Sequence, residues 1–518
     1  MTESDKEQPE TSRKNYTVVV SDLHINEGRL PGTGAFARME DFFWDREWLR
    51  FCRHLVEKCR KTNRMLRLVL NGDSFDFLQM VRPYDGPLPT KGTERVFGAG
   101  TAPAKAVWKI NKILEGHKDF VRGLGTVYSA GYEILFITGN HDAELYWPEV
   151  KEVIRQKIAS TAESEHGTAS SGLISFAQWF HIADNVLWIE HGNRYDKFNS
   201  FRFQLAPELP NTAGYPDDKL LRLPIGSLFA RYLFNPIDNR YPLADNMGDD
   251  QTAFLWAVKN HPLSSGRLLL AYGLSFLRVL KKQKLFMPRE LGVLRAQHRK
   301  RRNELAEKFG IDPAKLAKVD SLQINPTKGG HFGFLLHTLT RIFRKILLPF
   351  TVSVFAVFFL LLLSSSIQVA VHNPIMEAIT MTLSYLLIFI GALATILLFG
   401  SRRSFLRVRK KDPYRKAASS IKELTGVKYV TFGHTHLSDA ATLADGGLYF
   451  NTGTWTPLFH EEYMPLRELV EFTFVELYNG EVTLKRWNDP RGHLEPALLL
   501  ERPRVGFPLE DIEGNKPN

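Results

Sequence analysis

Phe432-Gly433-His434-Thr435-His436 places two histidines one residue apart behind a glycine, directly after the apolar run Tyr429–Phe432. If that run is a strand, the pair emerges at its carboxyl end, where open α/β sheets bind their ligands. Two histidines in three residues cannot point the same way from a regular strand with a third group between them. The backbone must therefore turn at Gly433 and fan the imidazoles apart, a shape that suits two neighbouring metal ions. Surface histidines in an ordinary turn would read the same, so the weight falls on what the rest of the chain puts beside them.

Toward the N-terminus the same kind of junction recurs. Residues 16–20 form a short β-rich run ending in Ser21-Asp22-Leu23-His24, a carboxylate and an imidazole one residue apart. After a helical stretch over 48–60, the apolar strand 66–70 ends in Asn71-Gly72-Asp73-Ser74-Phe75-Asp76. A helical region over 105–123 leads to a strand at 133–138 ending in Gly139-Asn140-His141-Asp142, and 186–189 ends in Glu190-His191-Gly192-Asn193. Each junction alone has a dull explanation: Asp22 and Asp73 as helix caps, Asn140 as a turn residue, His191 as a hydrogen-bonded core histidine. Together, strand after strand closing on Gly, Asp, Asn or His argues for one shared site.

The succession Asp22-x-His24, Gly72-Asp73-x-x-Asp76, Gly139-Asn140-His141-Asp142, His191-Gly192 and Gly433-His434-x-His436 resembles the calcineurin-like metallophosphoesterase superfamily, over roughly residues 16–196 and 411–490. The resemblance implies an α/β fold, a sandwich of two packed sheets flanked by helices, with a dinuclear metal site at the strand ends. Carried over position by position, it implies that Asp22, His24, Asp73 and His436 hold one ion. Asp73, Asn140, His191 and His434 would hold the other, with Asp73 bridging. It further implies His141 as proton donor and oxyanion stabiliser, and Asp76 and Asp142 as acids that orient histidines.

The residue types also fit the chemistry in their own right. Two divalent ions about 3.5–4 Å apart clamp a phosphoryl group and convert a bridging water into hydroxide for in-line attack. Neutral Asn140 and the imidazoles leave such a site positive enough to attract phosphate, which a cage of carboxylates would not. Nitrogen and oxygen donors without thiolate fit manganese first, with iron, zinc or nickel as alternatives, better than calcium or magnesium.

At 518 residues the chain exceeds one small core. Its 67 Lys+Arg against 56 Asp+Glu give +11, which would suit nucleic acid or an anionic membrane surface. Much of that excess lies in 402–416, where Arg402, Arg403, Arg407, Arg409, Lys410, Lys411, Arg415 and Lys416 face Asp412 alone. A long apolar run precedes it directly, so the bilayer is the expected partner and nucleic acid is not. Cys52 and Cys59 sit two helical turns apart, about 10 Å, too far for a disulfide, and read as reduced thiols. Residues 1–14 are polar with no apolar core, so they read as a disordered tail and not as a secretory signal; residues 491–518 read as a second tail.

More than 240 residues separate His191 from His434, although one crossover helix, visible at 413–426, would suffice. The expected organisation is a discontinuous catalytic domain, 15–196 and 406–490, interrupted by a helical lid at 197–340 and a transmembrane hairpin at 341–405. The lid should carry helices at 252–260, 267–281 and 288–309. Its Arg299, Lys300, Arg301 and Arg302 read either as a solvated helix face or as a phosphate or headgroup contact. Residues 347–371 and 378–400 are each long enough to cross a hydrocarbon core of about 30 Å. Basic residues flank both outer ends and none lies in the short loop between, so both termini and the catalytic domain should face the cytoplasm. Gly391, Ala392 and Ala394 would permit close helix packing or a homodimer.

The expected function is therefore a membrane-anchored dinuclear phosphoesterase acting on a phosphate ester or diphosphate of a lipid. The interruption between the histidine motifs also resembles the branch containing UDP-2,3-diacylglucosamine hydrolases, which lacks a membrane hairpin, is shorter and commonly has Arg where this chain has His141. Arg194, beside His191, is a candidate phosphate contact or a structural arginine. The competing readings are a phosphodiesterase or phosphatase for soluble nucleotides or proteins, tethered to the membrane, and an inactive membrane scaffold.

Overall fold

The computed structural model describes residues 14–90, 92, 94–167, 172–209, 219–235, 288–324, 375, 378–379, 381–382, 385, 412–443, 446–457 and 470–497. The chain divides into two compact units, Met1–Pro326 with Asp412–Leu500, and Thr327–Lys411 with Glu501–Asn518.

The first unit is a mixed α/β structure built on two sheets. Strands β1 (Lys14–Val20), β2 (Arg64–Asn71), β3 (Glu133–Ile137) and β4 (Leu173–Ala177) run parallel. The antiparallel β12 (Thr473–Tyr478), β13 (Glu481–Asn488) and β14 (His493–Pro496) extend this sheet from β1, giving the order β14-β13-β12-β1-β2-β3-β4. The second sheet is ordered β10-β11-β9-β6-β5, from β5 (Phe180–Ala183), β6 (Leu187–Glu190), β9 (Tyr429–Phe432), β10 (Ser438–Thr442) and β11 (Leu448–Thr452). Alternation along each strand gives both sheets an apolar inner face. Val19, Val69, Leu135 and Val475 of the larger sheet share one buried cluster with Leu187, Ile189, Tyr429 and Phe450 of the smaller. Each such side chain contributes about 1.5–3 kcal/mol on burial, so the two sheets are held face to face by the layer beneath the strand ends.

Helices cover the outer faces. Helix α1 (Asp45–Thr62) buries Trp48, Leu49, Cys52, Leu55, Val56 and Cys59 along one side and ends at Asn63 in the left-handed conformation. Both cysteines are buried free thiols. The helical region expected over 105–123 is two helices, α3 (Pro103–Gly116) and α4 (Lys118–Ser129), following the single turn α2 (Glu94–Phe97). The break is at His117, whose ring is held by Asp45 at 2.9 Å and Glu40 at 3.1 Å. Helix α5 (Pro148–His166) follows β3, and the short α6 (Ile225–Phe229) follows a two-stranded ribbon of β7 (Glu208–Leu209) and β8 (Leu220–Leu221).

Residues 288–324 form α7 (Pro288–Lys308) and α8 (Pro313–Ser321). They do not begin a separate domain. Ala306, Leu316 and Val319 join Trp179, Phe180 and Trp188 beneath α9 (Pro413–Thr425) on the outer face of the smaller sheet. The expected boundary at 196/197 therefore falls inside a packed unit. Helix α9 starts on Asp412, whose carboxylate accepts from the Tyr414 and Arg415 amides at 2.9 and 3.4 Å, and ends on left-handed Gly426. The expected C-terminal tail also needs correction, since His493–Pro496 pairs with β13. The helices expected at 252–260 and 267–281 lie outside the described residues. So do the tail 1–13 and the spans 347–371 and 378–400, apart from a few helical residues between 378 and 385. Among the described residues no helix is long and apolar enough to cross a membrane.

Candidate metal centre

Every junction singled out in the sequence reaches the same place. Turns after β1, β2 and β3 bring Asp22, His24, Asp73, Asn140 and His141 from the larger sheet, and turns after β6 and β9 bring His191, His434 and His436 from the smaller. Backbone bonds lace them together: Asp22 N–H donates to Gly72 O at 3.1 Å, His24 N–H to Asp73 O at 2.9 Å, and Gly433 N–H to His191 O at 2.8 Å. The two sheets are joined directly where His434 N–H donates to the Asp22 carboxylate at 2.9 Å. A Cβ at Gly433 would collide with Ser21 and Asp22, so only glycine lets this turn close on β1.

Asp22, His24 and His436 form one group whose ligand atoms lie within 4.8 Å of one another, and Asp73, His191 and His434 form a second. These buried His/Asp groups can hold metal ions. The Oδ2 atom of Asp73 is 3.0 Å from Nε2 of His191 and 4.0 Å from Nε2 of His24, so one oxygen reaches both groups.

Three observations test the fit of the residues to a metal. The first is where the proton on each ring lies. His191 Nδ1 faces the carbonyl oxygen of Asn71 at 3.0 Å and must donate to it, which leaves Nε2 facing the Asp73 carboxylate to carry either a proton or a metal ion. His24 Nδ1 likewise donates to Asp76 at 3.1 Å, leaving its Nε2 only 3.0 Å from Nε2 of His436. Lone pairs this close call for a shared cation. Burial works against protonation of His191, but Asp73 and Asp22 outweigh it and raise its pKa to about 9, a measure of how strongly this spot draws positive charge. His436 is held neutral by its burial and by His24. The second observation is the amide oxygen Oδ1 of Asn140, buried and without a hydrogen-bond partner. A lost partner costs a buried acceptor about 1–3 kcal/mol, and a cation removes that cost. The third is backbone strain. Among the described non-glycine residues, Asp22, His24, Asp73, His434 and His436 all have positive φ, between 47° and 67°. Left-handed residues cost on the order of 1–3 kcal/mol and gather where function over-determines them.

Asp76 accepts from Nδ1 of His141 at 2.6 Å as well as from His24, so it orients both rings. Burial works against its carboxylate, but His141 and His24 hold it below the usual carboxylate range. Asp142 does not orient a histidine. Its carboxylate accepts from the Gly139 and Ser74 amides at 2.6 and 2.9 Å and pins two ligand turns together, and burial followed by the Asp73 charge pushes it up to about 7. Arg194 is not at the mouth of the site. It is fully buried, stacked 3.9 Å over Trp179, and donates to Asp320 of α8 at 2.7 Å, so it fastens the His191 turn to 288–324 and is no phosphate contact.

Other residues complete the surroundings of the site. Asp196 stands 3.3 Å from Nε2 of His434. Thr454 donates its hydroxyl to Asp22 O at 2.5 Å and Asn451 its amide to Gly433 O at 2.7 Å, so the end of β11 and the turn after it support both ligand turns. Glu40, anchored by His117, accepts from the Gly28 amide at 2.6 Å and fixes the wall beyond His24. For Asp196 the signal was its place five residues after His191; for His117 and Glu40 there was none, because their contact spans distant elements. Against known proteins, the chain matches no protein-family model, no curated protein and no solved structure at a significant level.

Proposed function

We propose that this chain is a membrane-anchored, dinuclear metal-dependent phosphoesterase of the calcineurin-like kind, acting on a phosphate ester or diphosphate of a lipid. The observation that carries this reading is the pair of His/Asp groups joined through one oxygen of Asp73, beside the unpartnered amide of Asn140. Asp22, His24, Asp73 and His436 would hold one ion and Asp73, Asn140, His191 and His434 the other, manganese first. Divalent ions there supply Lewis-acid polarisation of a phosphoryl group and activation of the attacking water. The chain's own residues do the rest. Asp22 and Asp73 provide the negative charge that retains the ions, and neutral Asn140 limits it. Asp76 fixes His141 by Nδ1, so that Nε2 is left to carry the proton for the departing oxygen.

The lipid class is supported by where the apolar segment leaves and rejoins the first unit. The Ile324 amide donates to Arg194 O at 3.0 Å, three residues from His191, and Tyr414, just past Asp412, lies with its ring 6.4 Å from that of His434. Both junctions thus adjoin ligand turns, and the apolar runs 347–371 and 378–400, seated in a bilayer, would keep the chain at the membrane, on the cytoplasmic face by the charge pattern of the sequence.

The test is to incubate detergent-purified, Mn²⁺-loaded full chain with lipid phosphates, lipid diphosphates and nucleotide-linked lipids, following products by mass spectrometry beside an Asp73→Asn control. Cleavage of one lipid class, lost in the control, is the expected result. Cleavage of soluble esters alone would overturn the lipid class, and no metal-dependent cleavage of any ester would overturn the enzyme reading.

A further inference from the structure

Cations on the flank of the centre divide into two kinds. Arg194 and Arg302 meet Asp320 at 2.7 and 3.2 Å, Arg301 donates to Leu205 O at 2.6 Å, and Arg231 donates to Gly98 O and Ala99 O at 2.6 and 2.5 Å. Arg202, Arg222 and Arg295 have no carboxylate or carbonyl acceptor among the described residues. Yet they are held around one short segment. The Arg222 amide donates to Pro207 O at 2.7 Å, and the Leu205 amide donates to Nδ1 of His298 at 3.3 Å, which lays residues 202–205 along α7 one turn from Arg295. Nη1 of Arg222 is buried and has no hydrogen-bond partner among the described residues. The Glu208 carboxylate of the ribbon is engaged by Lys219 at 3.8 Å and Tyr146 at 3.4 Å. Arg295 also begins an open concavity that it shares with Arg299, Lys300 and Asn303.

A guanidinium withdrawn from water without a partner is costly, and placing like charges beside it adds to the cost. Burial followed by the charge of Arg202 brings the Arg222 pKa down to about 10, and burial with Arg295 lowers that of Arg202 in turn. The cost falls on Arg222 and is relieved by an anion that it can share with the half-buried Arg202 and the exposed Arg295. Its place is also informative. Five residues beyond Arg222, the Ser227 hydroxyl donates to the backbone oxygen of Asn140 at 3.1 Å, and five extended residues span at most about 18 Å.

We propose that Arg202, Arg222 and Arg295 form a second anion site, distinct from the metal centre, that takes a phosphate group. Its service as the seat for a second phosphate of the substrate rests on the phosphoesterase reading; the anion site itself does not. The shared chemistry is the phosphate dianion, carried either by a lipid headgroup or by free phosphate.

The experiment uses full-length protein in detergent, stripped with EDTA so that the metal centre is not the reporter, titrated calorimetrically with dioctanoyl phosphatidate and with inorganic phosphate. Binding of either probe is expected, weakened roughly tenfold or more by Arg222→Gln and by Arg202→Gln, retained by Arg222→Lys and by Asp73→Asn, and diminished by added salt. Tighter binding of the lipid assigns the site to a headgroup, and equal binding assigns it to the free anion. Thermal melting controls for folding, and Arg222→Gln should melt no lower than the parent without phosphate, since it removes an unpaired buried charge. Equal affinity in parent and Arg222→Gln, or no binding to the stripped parent, overturns the site. Because Asp73→Asn keeps the anion site and abolishes the metal centre, failure of one reading is distinguishable from failure of the other.

Discussion

The larger sheet delivers every oxygen donor of the centre, Asp22, Asp73 and Asn140, whereas the smaller sheet delivers only imidazoles, His191, His434 and His436. The two halves are also braced differently. Residues 14–142 supply the first half in one stretch, its turns bonded to each other and walled by the buried His117 and Glu40. The second half is completed only after the chain has passed through 197–411, and it is fastened by Arg194 on Asp320 and by the end of β11. The first half is local, the second long-range. The two groups that Asp73 joins each draw on both sheets, so ion binding there would report the joining of the sheets.

The largest expected effect comes from the one residue whose carboxylate reaches both ligand groups. Asp73→Asn should lower metal-dependent turnover roughly 1,000-fold, equivalent to about 4 kcal/mol of barrier, measured with the substrate found in the lipid panel. Retained activity would break the comparison at its centre.

Next is a pH dependence from His117, on the wall of the first half. Burial opposes the His117 imidazolium, but Glu40 and Asp45 outweigh it and raise its pKa to about 10 from 6.5. A raised folded-state pKa means the stabilisation is complete below about 6.5 and fades as pH climbs to about 10. Denaturant unfolding should show a loss on the order of a few kcal/mol across that window, and His117→Gln should flatten the profile.

Asp76→Asn should cost roughly 10–100-fold in turnover, because the same oxygen orients a ligand, His24, and the proton donor, His141. A loss in kcat together with weaker metal affinity is expected; a change in affinity alone would remove His141 from its role. Smallest is Thr454→Val, which takes one hydrogen bond from the Asp22 turn and should lower stability by about 1 kcal/mol, read from the urea midpoint.

The sequence was legible where chemistry is local. A strand followed by Gly-Asp-x-x-Asp or Gly-His-x-His declares its own turn, and each of these turns stands where its strand was expected to end. Legibility failed where a role depends on contacts across elements. Arg194 sits two residues from the His191-Gly192 pair and reads as a phosphate contact, but a carboxylate 126 residues away claims it. Asp142 looks like a partner for a neighbouring histidine, yet the tight turn sends it to backbone amides. Residues 288–324 read as part of a separate lid because their helices are highly charged, while Ala306, Leu316 and Val319, few and spread out, carry their burial. The break at His117 was hidden because helical periodicity continues on both sides of it.

If the two sheets meet around two ions, those ions can be counted. Full-length protein loaded with Mn²⁺, desalted and analysed by plasma mass spectrometry together with its Asp73→Asn variant should carry two ions per chain, falling to one or none in the variant. No retained metal in the parent, or the same count in both proteins, would contradict that arrangement.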